Sequence, residues 1–259
     1  MNVGFSTGSL ALGDFRRGIE MCRGKHVNAV ELSALRESEL AGLIDSLDDI
    51  DIAPFEYISF HAPSKIVHYS EKEVVSLLSK VAERRWMIIV HPDIITEFDV
   101  WQQLGQYLCI ENMDKRKSIG RTFYDMDALF EMLPEASFCL DVAHARQVDP
   151  TMSEALLMLM EFRKRITQIH LSDVNSSSVH EPLNMEAILS YRRISKLIHP
   201  DTPIIIESPV VENQMNQEVE YAEYIFDDEK FNRDLSRFSE NFIVKEMMNK
   251  QKEQTSVFA

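Results

Sequence analysis

The stretch Phe138–Arg146, FCLDVAHAR, decides the fold. It reads as a short apolar strand that ends in Asp141, with His144 three residues further on. A carboxylate and an imidazole released where a buried strand opens into its loop can face the same space. That arrangement suits metal binding or proton transfer better than packing. One such stretch is a thin signal, but the chain repeats it: strand after strand ends in an acid or a histidine.

Toward the N-terminus, Tyr107–Ile110 leads into Glu111-Asn112, Trp86–Val90 into His91-Pro92-Asp93, and Phe55–Phe60 into His61. Val27–Ser33 carries Glu31, and Asn2–Ser6 is a first short apolar strand. Toward the C-terminus, Ile166–Ile169 opens into His170-Leu171-Ser172-Asp173 ahead of His180, and Pro203–Ile206 into Glu207. Between these strands, helical spacing of apolar residues marks 14–23, 37–47, 71–83, 98–104, 122–133, 153–163 and 185–197. Strands that alternate with helices pair in parallel rather than as hairpins. Eight strand–helix units predict the α/β class and a single (β/α)8 TIM barrel.

The barrel is expected over residues 1–227, and 228–259 is expected to form a C-terminal helix near Glu229–Asn249 and a flexible polar tail, QKEQTSVFA. A length of 259 residues at 45% hydrophobic composition suits one barrel of about 250 residues, and no linker divides it. The apolar runs are strand-sized, too short to span a membrane. The opening MNVGFSTGSL lacks the basic segment and apolar core of a secretion leader. Cys22, Cys109 and Cys139 are widely spaced in apolar contexts, which fits reduced core thiols. A cytoplasmic location is the expectation. A formal net charge of −15 argues against a broadly basic nucleic-acid surface or an anionic-membrane binder.

Active sites of this barrel lie at the carboxyl ends of the strands, so these side chains would converge on one bowl. Carboxylates with imidazoles suit zinc, manganese or another divalent ion. Each residue also has a plain reading. His61 or His91 alone could cap a loop, Glu31 reads as a structural ion-pair partner, and Asp173 as a hydrogen-bonding loop residue. His68 and His199 lie off the pattern, and the other six of the eight histidines are expected in the bowl. Glu111 and Glu207 each follow mostly apolar strand residues, where an unpaired carboxylate is costly and a metal or basic partner is called for.

With VELS at Val30, FHAPS at Phe60, VHPD at Val90, IENMD at Ile110, LDVAHA at Leu140, IHLSD at Ile169, VHEPLN at Val179 and IIES at Ile205, the sequence resembles the xylose isomerase-like TIM barrels. That superfamily holds sugar isomerases and epimerases together with endonuclease IV-type apurinic (AP) endonucleases. The resemblance implies a central metal held by Glu111, Asp141, His170 and Glu207. In the endonuclease branch it adds His61 and His91 beside Glu111 around a second ion, and His144 with His180 around a third. The third site there also uses an Asp two residues before the last His; here that position is Ser178.

Two chemistries follow from the resemblance. In a sugar or sugar-phosphate isomerase or epimerase, one ion chelates the substrate and Glu111 and Glu207 move protons, with His144 and His180 on substrate oxygens. In a phosphodiesterase or related hydrolase, two or three zinc ions activate water and hold the ester. The sequence reading ranks the isomerase first, because Ser178 weakens a trinuclear site. The hydrolase is second and a non-catalytic metal-binding scaffold last. The short passage VELSALRESEL and the acidic balance disfavour duplex DNA. Lys65, Lys115, Arg116, Lys117, Arg121 and Arg146 follow the strand ends. They suggest a small anionic sugar-like substrate clamped by Arg146 with help from Lys65 or Arg121. A homo-oligomer is compatible with the sequence. No GxSxG elbow and no glycine-rich phosphate loop occurs.

Overall fold

In the computed structural model, which describes residues 1–234, the strands are β1 (Val3–Ser6), β2 (Ala29–Ser33), β3 (Tyr57–His61), β4 (Met87–Val90), β5 (Leu108–Glu111), β6 (Ser137–Asp141), β7 (Ile166–Leu171) and β8 (Ile204–Ile206). All eight are parallel, each pairs with its neighbours in sequence, and β8 closes on β1. This is the (β/α)8 TIM barrel expected. Closure requires the strands to approach tightly, and Gly4 permits it: a Cβ there would lie 1.8 Å from the carbonyl oxygen of Ala29.

The two faces of each strand do different work, as the two-residue period of a strand requires. Outward residues such as Val30, Leu32, Phe60, Ile88, Ile110, Phe138, Leu140 and Ile169 join the main apolar core with the surrounding helices. Inside the barrel the apolar cluster is small, Ile89, Cys109 and Cys139 with Met87 against it. The remaining interior is polar: Tyr57, Ser59, Glu31 and Gln168 are linked by hydrogen bonds. Where β6 meets β7 the register shifts, with Phe138 opposite Ile166 and Cys139 opposite Gln168, so Thr167 is an extra residue. Bulges of this kind re-aim side chains beside functional sites, here Gln168 and His170.

The helices are α1 (Thr7–Leu10), α2 (Phe15–Cys22), α3 (Glu37–Asp45), α4 (Glu71–Ala82), α5 (Phe98–Trp101), α6 (Phe123–Met132), α7 (Val142–Val148), α8 (Ser153–Glu161), α9 (Met185–Ser195) and α10 (Met215–Phe226). Their starts carry local signals. Ser70 with Glu73 and Thr122 with Asp125 form capping boxes, and Asn184 caps α9. Three helices are additional to the sequence reading: α1, α7 and α10. The helix expected over 98–104 is one α-turn followed by a 3-10 segment, Gln102–Tyr107, in which Gly105 has φ 55°.

The described residues extend past the expected boundary after residue 227. The chain is helical again over 228–234, and Phe231 is buried against Tyr224 with the Arg192 guanidinium 3.8 Å above its ring. Most of the helix expected at Glu229–Asn249, and the tail, lie outside the described residues. No helix among the described residues is long and apolar enough to cross a membrane.

Candidate metal centre

Glu111 ends β5, Asp141 ends β6, His170 lies near the end of β7 and Glu207 follows β8. All four are buried, and each offers a ligand atom within 4.8 Å of the others. Nδ1 of His170 stands 3.3 Å from Oε1 of Glu111 and 3.3 Å from Oε2 of Glu207. Nδ1 of His170 and Oδ2 of Asp141 are buried without a hydrogen-bond partner. Among the described residues no Lys or Arg ion-pairs with Glu111, Asp141 or Glu207; imidazoles alone face them. Three buried carboxylates without a basic partner, and orphaned donor atoms aimed at one point, fit a divalent cation. The mixed N/O donor set suits zinc, manganese or iron.

Two further groups flank this one. Oε2 of Glu111 lies 3.3 Å from Nε2 of both His61 and His91. On the other side, Oε1 of Glu111 lies 3.3 Å from Nδ1 of both His144 and His170. Each oxygen of Glu111 therefore serves a different pair of imidazoles. Asp141, His144 and His180 form the third group, again with ligand atoms within 4.8 Å. Asp141 is the N-cap of α7: its Oδ1 accepts from the His144 N–H at 2.7 Å, which leaves Oδ2 free for the cluster.

Neighbouring groups set the imidazole orientations. Nδ1 of His61 lies 2.7 Å from the Ala62 carbonyl and Nδ1 of His144 lies 3.0 Å from that of Asn112. Donation from the His61 Nδ1–H turns its Nε2 lone pair toward Glu111, whereas in His144 Nδ1 itself faces Glu111 and Asp141 at 3.3 Å. His180 Nδ1 meets the Ser172 hydroxyl at 2.7 Å. Asn112 also clamps Asp141, donating to its carbonyl at 2.9 Å and accepting from its N–H at 2.8 Å.

The electrostatics show the strain of crowding these charges. Burial pushes Glu207 up to about 8, and Glu111 and Asp141 add to that against the pull of His170. Burial likewise raises Asp141 to about 6 despite His144. Burial also acts to raise Glu111, but the imidazoles of His170, His144 and His61 outweigh it and hold the carboxyl well below its usual range. Burial and the neighbouring His144 depress His180 to about 3. A bound cation would relieve both the carboxylate repulsion and the need for protons to offset it.

Five histidines share the bowl: His61, His91, His144, His170 and His180. His26 does not join them, a correction to the expected six; it precedes β2 and is exposed, at the barrel end opposite the strand termini. Arg146 also departs from expectation. It sits on α7 with Nη1 2.6 Å from Asp173 and Nη2 2.7 Å from Glu186, so both arms are committed to carboxylates instead of being open to a substrate. Arg116 is bidentate to Asp114, and Lys117 pairs with Asp93. Lys65 is exposed in the β3–α4 loop, and Arg121 is half-buried with its Nε unpartnered. Ser178 has φ 58°, is buried, and turns its hydroxyl to Gln147 at 2.7 Å; the carboxylate of the third group is Asp141 instead. Residues absent from the expected site are Asn112, Ser172, Gln168 and, as a neighbour of His170, Glu31. For Glu31 and Gln168 the signal was present: polar side chains at inward positions of strands.

A family model described as the xylose isomerase-like TIM barrel matches residues 95–225, half of the chain. The chain belongs to this family. The match contains Glu111, Asp141, His144, His170, His180 and Glu207, whereas His61 and His91 lie outside it. No curated protein matches the chain. Endonuclease IV from Thermus thermophilus is similar in structure, with a TM-score of 0.52 at 18% identity over 85% of this chain and 97% of its own. A xylose isomerase domain protein from Alicyclobacillus acidocaldarius gives 0.60 at 11%, over 87% and 98%. A protein from Anabaena variabilis, described as a candidate sugar phosphate isomerase/epimerase, gives 0.52 at 14%, over 84% and 87%. At these identities the likeness is one of fold, and this fold hosts more than one chemistry.

Proposed function

We propose that this xylose isomerase-like barrel is a divalent-metal-dependent hydrolase that cleaves a phosphate ester in a multinuclear centre. The observation that carries the reading is Glu111, whose two oxygens face separate imidazole pairs at 3.3 Å. A carboxylate in that position could serve two ions, one on each side. It is poorly placed to leave them and abstract a proton from a sugar carbon, the role the isomerase mechanism requires of it. This reading reverses the order suggested by Ser178, because Asp141 completes the third group without a carboxylate at 178.

When bound, zinc or manganese ions would activate water and offset charge on the phosphoryl oxygens. The protein's own part is holding and orienting. His61 and His91 would hold the ion on one side of Glu111. Glu111, Asp141, His170 and Glu207 would hold the central one, and Asp141, His144 and His180 the third. Asn112 keeps Asp141 and His144 in place. The substrate we infer is small and anionic. Only residues 34–36 connect β2 to α3, and the net charge is −15, neither of which favours a duplex. Lys65 and Arg121 are the rim cations available to it, since Arg146 is engaged elsewhere.

The second reading is the sugar or sugar-phosphate isomerase or epimerase with one ion. It is favoured by the central group, in which Glu111, Asp141, His170 and Glu207 could by themselves hold one ion. Elemental analysis of untagged protein, followed by assays on p-nitrophenyl phosphate esters and on sugar phosphates, separates the two. Two or three ions with ester hydrolysis supports the proposal. One ion with exchange of a substrate C–H proton for solvent deuterium would replace it with the isomerase.

A further inference from the structure

The bottom of the central group holds an acid that is not among its ligands. Glu31 projects from β2 into the barrel and is fully buried, and its one ion-pair partner among the described residues is His170, with Oε2 3.1 Å from Nε2. The same oxygen accepts from the Ser59 hydroxyl at 3.1 Å and from the Gln168 amide at 2.7 Å. Tyr57 in turn donates to Oε1 of Gln168 at 2.8 Å, which sets the amide with its nitrogen toward Glu31. This chain crosses the barrel interior from β3 to β7 and ends on the ring of His170.

An imidazole has one lone pair when neutral, and the two nitrogens of His170 face opposite ways. Nδ1 points at Glu111 and Glu207 and has no hydrogen-bond partner. Nε2 lies 3.1 Å from Glu31 and 2.8 Å from the Gln168 amide nitrogen. The carboxylate can only accept, so a hydrogen on Nε2 points to Glu31, and the amide hydrogens go to Glu31 and toward Cys139. With a cation at the cluster in place of a second proton, the lone pair falls on Nδ1, facing the ligand cluster.

We propose that Glu31, braced by Ser59, Gln168 and Tyr57, is a positioning residue of the metal centre that locks His170 in the Nε2–H tautomer and strengthens its Nδ1 as a ligand. The inference rests on the metal-centre reading above and assigns a role to a residue that touches neither metal nor substrate. It also accounts for a buried carboxylate with no Lys or Arg beside it. With a cation on the far side of the neutral His170 ring, the negative acid and the positive ion stand at opposite ends of one chain, and the cost of burying Glu31 is offset.

The test uses metal-stripped full-length protein, wild type and Glu31→Gln, titrated with Zn2+ against a chromophoric chelator. Fold is checked by circular dichroism, and the His170 ring is followed by 15N NMR. Glu31→Gln keeps the shape and an acceptor oxygen but removes the charge. The expected result is about a 10- to 100-fold weaker affinity for the ion that shifts His170. The ion held by His61 and His91 should keep its affinity. Should the variant fail to fold, zinc-loaded wild type still decides. It should show His170 protonated at Nε2 and metal-bound at Nδ1, and the opposite tautomer overturns the proposal. Unchanged affinity in a folded variant overturns it while leaving the metal centre intact. Wild type that binds no zinc overturns both.

Discussion

The bowl and its rim handle charge in opposite ways. At the centre, Glu111, Asp141 and Glu207 have, among the described residues, only imidazoles as ion-pair partners, and atoms of Asp141 and His170 are left without hydrogen bonds. Around the rim, Arg146, Arg116 and Lys117 each have a carboxylate within 3 Å. The acids of the centre thus fit a cation that the chain does not supply, while three of the six rim cations are already used to pin loops and helices. The proximity of basic residues to a site in sequence is a poor guide to substrate contact when acids from other loops reach them first.

The largest effect is expected at the point where the groups join. Glu111→Gln removes the bridging charge from both the central and the His61–His91 groups. Activity should fall by at least about 1,000-fold, equivalent to ~4 kcal/mol of transition-state stabilisation. Elemental analysis should show the loss of more than one ion per chain. Retention of full metal content would break the contrast between an ion-starved centre and a satisfied rim. The same contrast predicts that adding metal to stripped protein raises its melting temperature in proportion to the logarithm of free metal, because the ions bind the folded state.

A smaller and more selective effect is expected for His91→Ala. His91 belongs only to the group it forms with His61 and Glu111, so one ion should be lost while the central ion stays. Ester hydrolysis should drop about 10- to 100-fold by the general cost of weakening a metal site. An unaltered rate would show that hydrolysis does not need the His61–His91 ion and would break the multinuclear reading. Ser178→Asp sharpens the third group. Asp tolerates the left-handed φ of 58° at this position better than most residues, and it would offer a carboxylate two residues before His180. Affinity for a third ion should rise by about tenfold, worth ~1.4 kcal/mol, in a zinc titration. No change would mean that Asp141 already saturates the group.

Much of the barrel could be read from the chain because six of the eight strands, β3 to β8, are short apolar runs punctuated at their ends by an acid or a His. The four residues of the central cluster could be picked out for the same reason: they sit where that punctuation falls. What escaped was tertiary or doubly used. Helix α7 was hidden because its N-cap, Asp141, is also a candidate ligand, so a helix start looked like a loop. Helix α10 could have been seen, since Met215, Val219, Ala222 and Phe226 follow helical spacing, but it follows Pro209 in a polar stretch. The bulge at Thr167 re-aims the interior of β7 and carries no local sequence mark. The partners of Arg146, at 173 and 186, lie on elements that only the closed barrel brings to α7.

Arg146 therefore makes the mildest and most pointed prediction. Were it a substrate clamp, Arg146→Ala would raise KM for a phosphorylated substrate by orders of magnitude and leave the fold untouched. The geometry predicts the reverse. Asp173 is buried and would lose its strongest donor, keeping Asn184 and its own neighbour's N–H, while the exposed Glu186 would lose little. The cost should appear as about 1–3 kcal/mol of unfolding free energy, the range for a hydrogen bond to a charged group in a partly buried site. KM should change by less than about threefold, because under 1 kcal/mol of binding would be affected. Urea unfolding and steady-state kinetics on the same preparation measure both quantities. A large KM change with wild-type stability would return Arg146 to the substrate and make the rim, like the centre, a surface built to receive a ligand.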